Sequence, residues 1–171
     1  MTRPRPWPKD PAPDPLQITI LSIGNRMPAW IDTGTSEYLQ RMPPDFAVGL
    51  RELGAEKRYK SSVTQQILER EAQRIRAAIP AQSLVIALDE HGKQHNTHTL
   101  AERLASWQHE GQHPVFIIGG ADGLDNSILK QAHEVWSLSN YTMPHALARI
   151  FLAEQLYRAW SIIKGHPYHR E

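Results

Sequence analysis

Short apolar runs bounded by glycine or polar residues alternate with longer segments whose apolar positions recur at helical spacing. This alternation organises nearly the whole chain. Leu16–Gly24 (LQITILSIG) is apolar and β-branched and ends on a glycine, which predicts a first strand. Met27–Arg41 follows as a helix entered through Pro28, with Trp30, Ile31, Tyr38 and Leu39 at loosely helical spacing. Phe46–Leu53 alternates as a second strand, and Gly54–Ser62 (GAEKRYKSS) is a polar loop carrying Lys57, Arg58 and Lys60 against Glu56. Ser62–Ile79 reads as a helix with a stripe of Val63, Ile67, Ile75 and Ile79, stopped by Pro80. Ser83–Asp89 (SLVIALD) is apolar throughout, the pattern of a strand buried on both faces. Thr97–Glu110 is a helix with Thr97 or Thr99 as its N-cap and Gly111 as its stop. Val115–Ile118 is a fourth strand, Asn126–His133 a helix, Val135–Leu138 a short fifth strand, and His145–Lys164 a long closing helix before Gly165 and Pro167. Such alternation predicts an α/β fold, a mostly parallel sheet flanked by helices.

The closing helix is apolar almost all round. Leu147, Ile150, Phe151, Leu152, Leu156, Trp160 and Ile163 fall on several faces, while Glu154, Arg158 and Ser161 share one stripe on which Glu154 and Arg158 can pair. A helix without a polar side has to be covered on every side. The pattern therefore predicts a homodimer interface through His145–Lys164; the alternative is burial between the sheet and the N-terminal region.

Composition narrows the setting. A chain of 171 residues suits one domain, expected over residues 16–171. Met1–Pro15 holds six of the 13 prolines and no apolar run, which predicts a disordered or polyproline-like extension rather than a secretory signal. Its Arg3, Arg5 and Lys9 leave a weak RNA-touching arm as the other reading. There are no cysteines, which excludes disulfides and thiol chemistry and fits a reducing, cytoplasmic setting. No run of apolar residues is long enough to span a bilayer, so no membrane partner is expected. With 19 basic and 18 acidic residues the net charge is +1, so attraction to a nucleic acid has to come from a local patch.

Three segments carry candidate chemistry. Gly119-Gly120-Ala121-Asp122-Gly123 leaves the fourth strand, where glycines permit positive φ and close approach of a ligand to the backbone. It lacks the Lys-Ser/Thr of a P-loop and the spacing of a dinucleotide fingerprint, and Asp122 and Asp125 disfavour phosphate. An adenosyl group without phosphates suits it better; a tight turn with no ligand is the plainer reading. Leu138–His145 follows the fifth strand with short polar side chains and free backbone groups able to read an adenine edge, or it is simply a connection whose Pro144 starts a helix. The tail His166–Glu171 (HPYHRE) places imidazoles, a phenol and a guanidinium together, although chain ends commonly fray. His145, His166 and His169 lack zinc-site spacing, so no metal is expected.

Taken together, Gly24, Met27-Pro28, Trp30, Gly34, Glu37-Tyr38, Arg41, Leu88-Asp89, Gly92-Lys93, the glycine loop, the Leu138–His145 loop, the Glu154–Arg158 segment and Pro167-Tyr168-His169 resemble one family. Over Leu16–Glu171 the chain is similar to the SPOUT-class RNA methyltransferases, and among them to the ribosomal large subunit methyltransferase H family. That resemblance implies a trefoil knot in the C-terminal part, against the general avoidance of knots. It implies S-adenosyl-L-methionine as methyl donor, held by Leu88, Gly119, Gly120, Leu138, Ser139, Asn140, Tyr141, Thr142 and Met143. It implies a homodimer that methylates N3 of a pseudouridine (position 1915, helix 69 region) in 23S rRNA on the assembled ribosome. The chain departs from the family in its N-terminal extension and in a His-rich loop after Lys93.

Methylation at N3 of an imide requires removal of a proton, a task for a neutral imidazole. His169 and His145 are the candidate bases, Arg170 the candidate stabiliser of charge on the base carbonyls, and Tyr168 the candidate for stacking on or hydrogen-bonding to the target. A nonenzymatic ribosome-binding factor with the same fold and a flavodoxin-like small-molecule protein are the competing readings.

Overall fold

The computed structural model describes residues 12–170. The expectations for residues 1–11 and for Glu171 fall outside the described residues. In chain order the elements are β1 (Leu16–Ile23), α1 (Ala29–Leu39), β2 (Phe46–Leu53), α2 (Thr64–Ala78), β3 (Leu84–Gln94), α3 (Thr97–Glu110), β4 (Pro114–Ile118), α4 (Asn126–Gln131), β5 (Glu134–Ser137) and α5 (His145–Lys164). The five strands form one sheet in the order β2-β1-β4-β3-β5, and every pairing is parallel. All strand C-termini therefore share one edge.

Strand periodicity sorts the apolar side chains into two cores. Ile18, Ile20, Ile86, Phe116 and Ile118 face one side and pack with Leu104 of α3 and Leu152 and Leu156 of α5. Leu21, Ile23, Val85, Ala87, Val115 and Ile117 face the other and pack with Ala72 and Ile75 of α2 and Ile128 of α4. The central strands are covered on both faces, which is why their sequences show no polar alternation.

β3 continues to Gln94, five residues beyond the predicted end at Asp89. Its pairing with β5 slips between Leu88 and Lys93, after which Lys93 pairs with Trp136 and Gln94 with Ser137. Gly92 lies against the Trp136 backbone, where an added Cβ would come within 2.5 Å of the carbonyl carbon. His91, Lys93 and Gln94 are exposed. The continuation reads as polar loop because no core covers it.

The apolar character of α5 is largely accounted for within one chain. The helix contacts both α1 and α3 and buries Ala148, Leu152, Ala153, Leu156 and Ala159. Leu152 and Leu156 are 1% and 0% exposed, so a charge at either position disrupts the core rather than a subunit contact. The large apolar side chains that α5 leaves to solvent are Leu147 and Phe151.

Candidate active site

The C-terminal edge of the sheet opens into a cavity of about 760 Å³, a size ordinary for a small-molecule site. Its walls are the middle of β3 (Leu88–Glu90), where the pairing with β5 slips, the loop after β4 (Gly119–Leu124), the loop after β5 and the first turn of α5. Loops at strand C-termini are where open α/β sheets hold ligands.

The glycine loop is shaped by its own packing. Gly123 has φ +79°, and its N–H donates to the Gly120 carbonyl at 3.1 Å, closing the turn. A Cβ on Gly119 would lie 2.5 Å from the Gly123 carbonyl group, so only hydrogen fits there. A Cβ on Gly120 would point away from the cavity, 3.0 Å from Ile23 and 3.4 Å from Glu71. Bulk at Gly120 would therefore lift the loop from its seat rather than fill ligand space. The two acids expected to repel phosphate also have structural roles. Asp122 pairs with Arg58, and Asp125 caps α4 by accepting from the Ser127 N–H at 2.9 Å.

The loop after β5 is tied to itself and to β3. The Ser137 hydroxyl donates to the Ser139 carbonyl at 2.9 Å, and the Tyr141 N–H donates to the Ser139 hydroxyl at 2.9 Å. Leu138, Ser139, Tyr141, Thr142 and Met143 line the cavity. Asn140 does not: its carboxamide oxygen accepts from Gln94 at 2.7 Å, joining the loop to the β3 continuation. Sequence reasoning missed Asp89, Glu90 and Ala148 as lining residues; their nearness to Leu88 and His145 was the available signal.

His145 is the one predicted catalytic side chain that lines the cavity. Pro144 caps α5 with extended geometry (φ −58°, ψ 141°) and sets His145 as its first helical residue. Burial, then the charges of Arg149 and Arg58, lower the His145 pKa from its ordinary value and favour the neutral imidazole. One turn later, the fully buried Arg149 donates to the Ser22 hydroxyl (2.9 Å), the Glu52 carboxylate (2.8 Å) and the Gly24 carbonyl (2.5 Å). It locks the start of α5 onto the ends of β1 and β2.

The tail folds back on α5 away from the cavity. The Tyr168 hydroxyl donates to Glu154 at 3.0 Å, its ring meets Tyr157 edge-on at 4.6 Å, and Arg158, itself bonded to Glu154, lies 4.9 Å over it. Burial, followed by the hydrogen bonds to Tyr38 and Glu154, raises the Tyr168 pKa, so the phenol stays protonated. Glu154 is nine residues beyond His145, about 14 Å along the helix axis. His169 packs edge-on against His98 at 5.3 Å, and neither of its buried ring nitrogens has a hydrogen-bond partner among the described residues. Arg170 is exposed. Within one chain, Tyr168, His169 and Arg170 thus lie apart from the cavity that His145 lines.

Comparison with known proteins gives this geometry a family. The sequence profile described as "Predicted SPOUT methyltransferase" matches residues 16–169. The chain is 48% identical over 158 residues to the Ribosomal RNA large subunit methyltransferase H of Cupriavidus metallidurans, covering 91% of this chain and 99% of the relative. The relatives of the same name from Ralstonia pickettii and Polynucleobacter asymbioticus are each 49% identical, again over 91% of this chain and 99% and 100% of their own length. Two solved structures share the fold. A probable methyltransferase from Bordetella pertussis aligns with a TM-score of 0.54 at 13% identity over 84% of this chain and 94% of its own. A probable methylase family protein from Haemophilus influenzae aligns with a TM-score of 0.53 at 14% identity over 92% and 71%. A cavity at the C-terminal edge of a parallel sheet, walled by these two loops in a chain so similar to these relatives over nearly its full length, leads to one assignment: the protein belongs to the SPOUT methyltransferase family, alongside its ribosomal RNA large subunit methyltransferase H relatives.

Proposed function

We propose that this protein is an S-adenosyl-L-methionine-dependent methyltransferase acting on N3 of a pseudouridine in the helix 69 region of 23S rRNA, on the assembled ribosome in the cytoplasm. The observation that carries the reading is a cavity formed by the glycine loop and the 138–143 loop with the His145 imidazole in its wall, its neutral form favoured. The residues fit the donor. Exposed backbone and small side chains suit an adenosyl group, while Asp89 and Glu90 suit a cationic group and disfavour phosphate. When bound, the donor supplies an electrophilic methyl group. Leu88, Gly119, Gly120, Leu138, Ser139, Tyr141, Thr142 and Met143 would hold it, with Asn140 bracing the loop from outside.

His145 takes the N3 proton as the nitrogen becomes nucleophilic. A base whose conjugate acid loses its proton easily is already in the accepting form at neutral pH. Tyr168, His169 and Arg170 act from a second chain: the partner's tail closes over the cavity, and its Arg170 meets charge developing on the target's carbonyls. The orphaned nitrogens of His169 support this reading, because buried polar groups ordinarily have partners and these have none among the described residues. Leu147 and Phe151 supply apolar area for such a homodimer. The family implies a trefoil knot in the C-terminal part of the chain.

The test is methyl transfer from labelled S-adenosyl-L-methionine to purified ribosomes that lack the modification, with the product mapped by mass. Label at N3 of one 23S pseudouridine is expected. Cofactor binding without transfer would instead leave a ribosome-binding factor, and the proposed activity would be wrong.

A further inference from the structure

The loop between β2 and α2 reaches over the end of β1 to the cavity. Register places Ile23 of β1 beside Leu53 of β2, and the Gly24 N–H donates to the Leu53 carbonyl at 2.6 Å. The segments that follow, 24–28 and 54–62, therefore leave the sheet side by side. From there Arg58 pairs with Asp122 in the glycine loop that follows β4, on the far side of β1. A second tie lies beneath. The Glu56 N–H donates to the buried Glu71 carboxylate at 3.1 Å, and Glu71 lies directly under Gly120. The Glu56 side chain is held by Arg70 (2.9 Å) and Arg74. The loop is a braced arm bordering the cavity.

The arm displays a particular surface. Tyr59 is 67% exposed although its backbone is pinned: its N–H donates to the Ser62 hydroxyl at 2.8 Å, and its carbonyl accepts from the Ser62 N–H at 3.0 Å. Lys57 and Lys60 flank it, and Arg26 stands on the neighbouring segment. None of these three cations has an ion-pair partner among the described residues, whereas Glu52, Glu56 and Asp122 are each taken by an arginine. A chain of net charge +1 thus leaves uncompensated positive charge beside its cavity, around an outward aromatic ring carried on a pinned backbone.

Resting on the activity proposed above, we infer that Arg26, Lys57, Tyr59 and Lys60 form the grip for the RNA strand next to the target nucleotide. The cations meet phosphates and Tyr59 stacks on an unpaired base. Phosphates alone need only cations; an exposed ring on a pinned backbone between them adds a surface on which any unstacked base can rest. Because Arg58 and Glu71 anchor the arm to the glycine loop, the grip is fixed relative to the cavity, and a strand held there presents its neighbouring nucleotide to His145.

Steady-state methylation of unmodified ribosomes by the full-length protein tests this. Lys57→Ala/Lys60→Ala and Tyr59→Ala are compared with wild type at about 50 and 150 mM salt. Tyr59→Ala is expected to raise the ribosome KM about 5- to 150-fold with kcat and S-adenosyl-L-methionine affinity unchanged, and Tyr59→Phe to restore it. The double lysine variant should raise KM and flatten its salt dependence by about 1.4 in logarithmic slope. Melting temperatures equal to wild type would separate this from a structural role. Wild-type KM and salt slope in both variants, with methylation intact, would overturn the grip and leave the activity standing. A wild-type protein that neither binds nor methylates ribosomes would overturn both.

Discussion

Arg149→Met removes the guanidinium that joins the start of α5 to the ends of β1 and β2 while keeping a long apolar side chain in its place. Arg149 is 1% exposed and Ser22 0%, so the Ser22 hydroxyl and the Gly24 carbonyl lose a donor where water does not reach. Each orphaned acceptor costs about 1–3 kcal/mol. The third partner, Glu52, has a 35% exposed side chain and can turn to solvent, so its share is small. The expected loss is about 3–5 kcal/mol, in line with breaking a buried charged pair from one side. For a chain of this size each kcal/mol moves the melting temperature by roughly 2–4 °C, so thermal unfolding should shift down by about 6–20 °C. A double-mutant cycle with Ser22→Ala isolates one bond: the double variant should be more stable than the sum of the singles by about 1 kcal/mol. A melting temperature within about 3 °C of wild type would show that the buried guanidinium does not tie α5 to β1 and β2.

The His145 pKa is lowered in the folded chain from 6.5, first by burial. Below that value the unfolded chain binds the extra proton more readily, so stability should fall as pH drops from about 6.5 toward the lower native value. His145→Gln should lose less melting temperature than wild type between about pH 7 and 5; equal losses would rule out the depressed imidazole. Leu152→Glu places a charge at a 1% exposed core position and should abolish cooperative folding, whereas Phe151→Glu should fold and, in light scattering, halve the mass if this face of α5 joins two chains. A folded Leu152→Glu protein, or a Phe151→Glu protein of wild-type mass, refutes the respective half. Deleting His169–Glu171 should leave melting and cofactor affinity near wild type while slowing methyl transfer about 10²- to 10⁴-fold; transfer at the wild-type rate would remove the tail from the chemistry.

The apolar runs of β1, β3 and β4 were legible because both faces of these strands are buried, and continuous apolar sequence has few other uses in a chain of this size. Helix stops were legible where a local signal exists: Gly111 and Gly165 end α3 and α5 in the left-handed conformation. The cap of α3 was not: Asn96, rather than Thr97 or Thr99, accepts from the Thr99 N–H, because three neighbouring polar residues can each cap and only the backbone path selects one. The β3 continuation over Glu90–Gln94 was not, since it is held by pairing with β5, residues distant in sequence, and not by burial of its own side chains. Most of the cavity lining was legible, because loops leaving parallel strands have to meet at one edge.

The sequence by itself determined the element order, the two-sided burial of the sheet and the loops that wall the cavity, all of which follow from local periodicity and turn chemistry. Only the tertiary structure decided what the titratable groups do. His145 lines the cavity while His169 packs against His98, Arg149 is buried among three acceptors, and Arg58 spans from one strand's loop to another's. Those partners lie tens of residues apart or more, and a side chain's environment is set by what folds against it. Hydrophobic spacing encodes which residues are buried; it does not encode which buried or bordering groups meet.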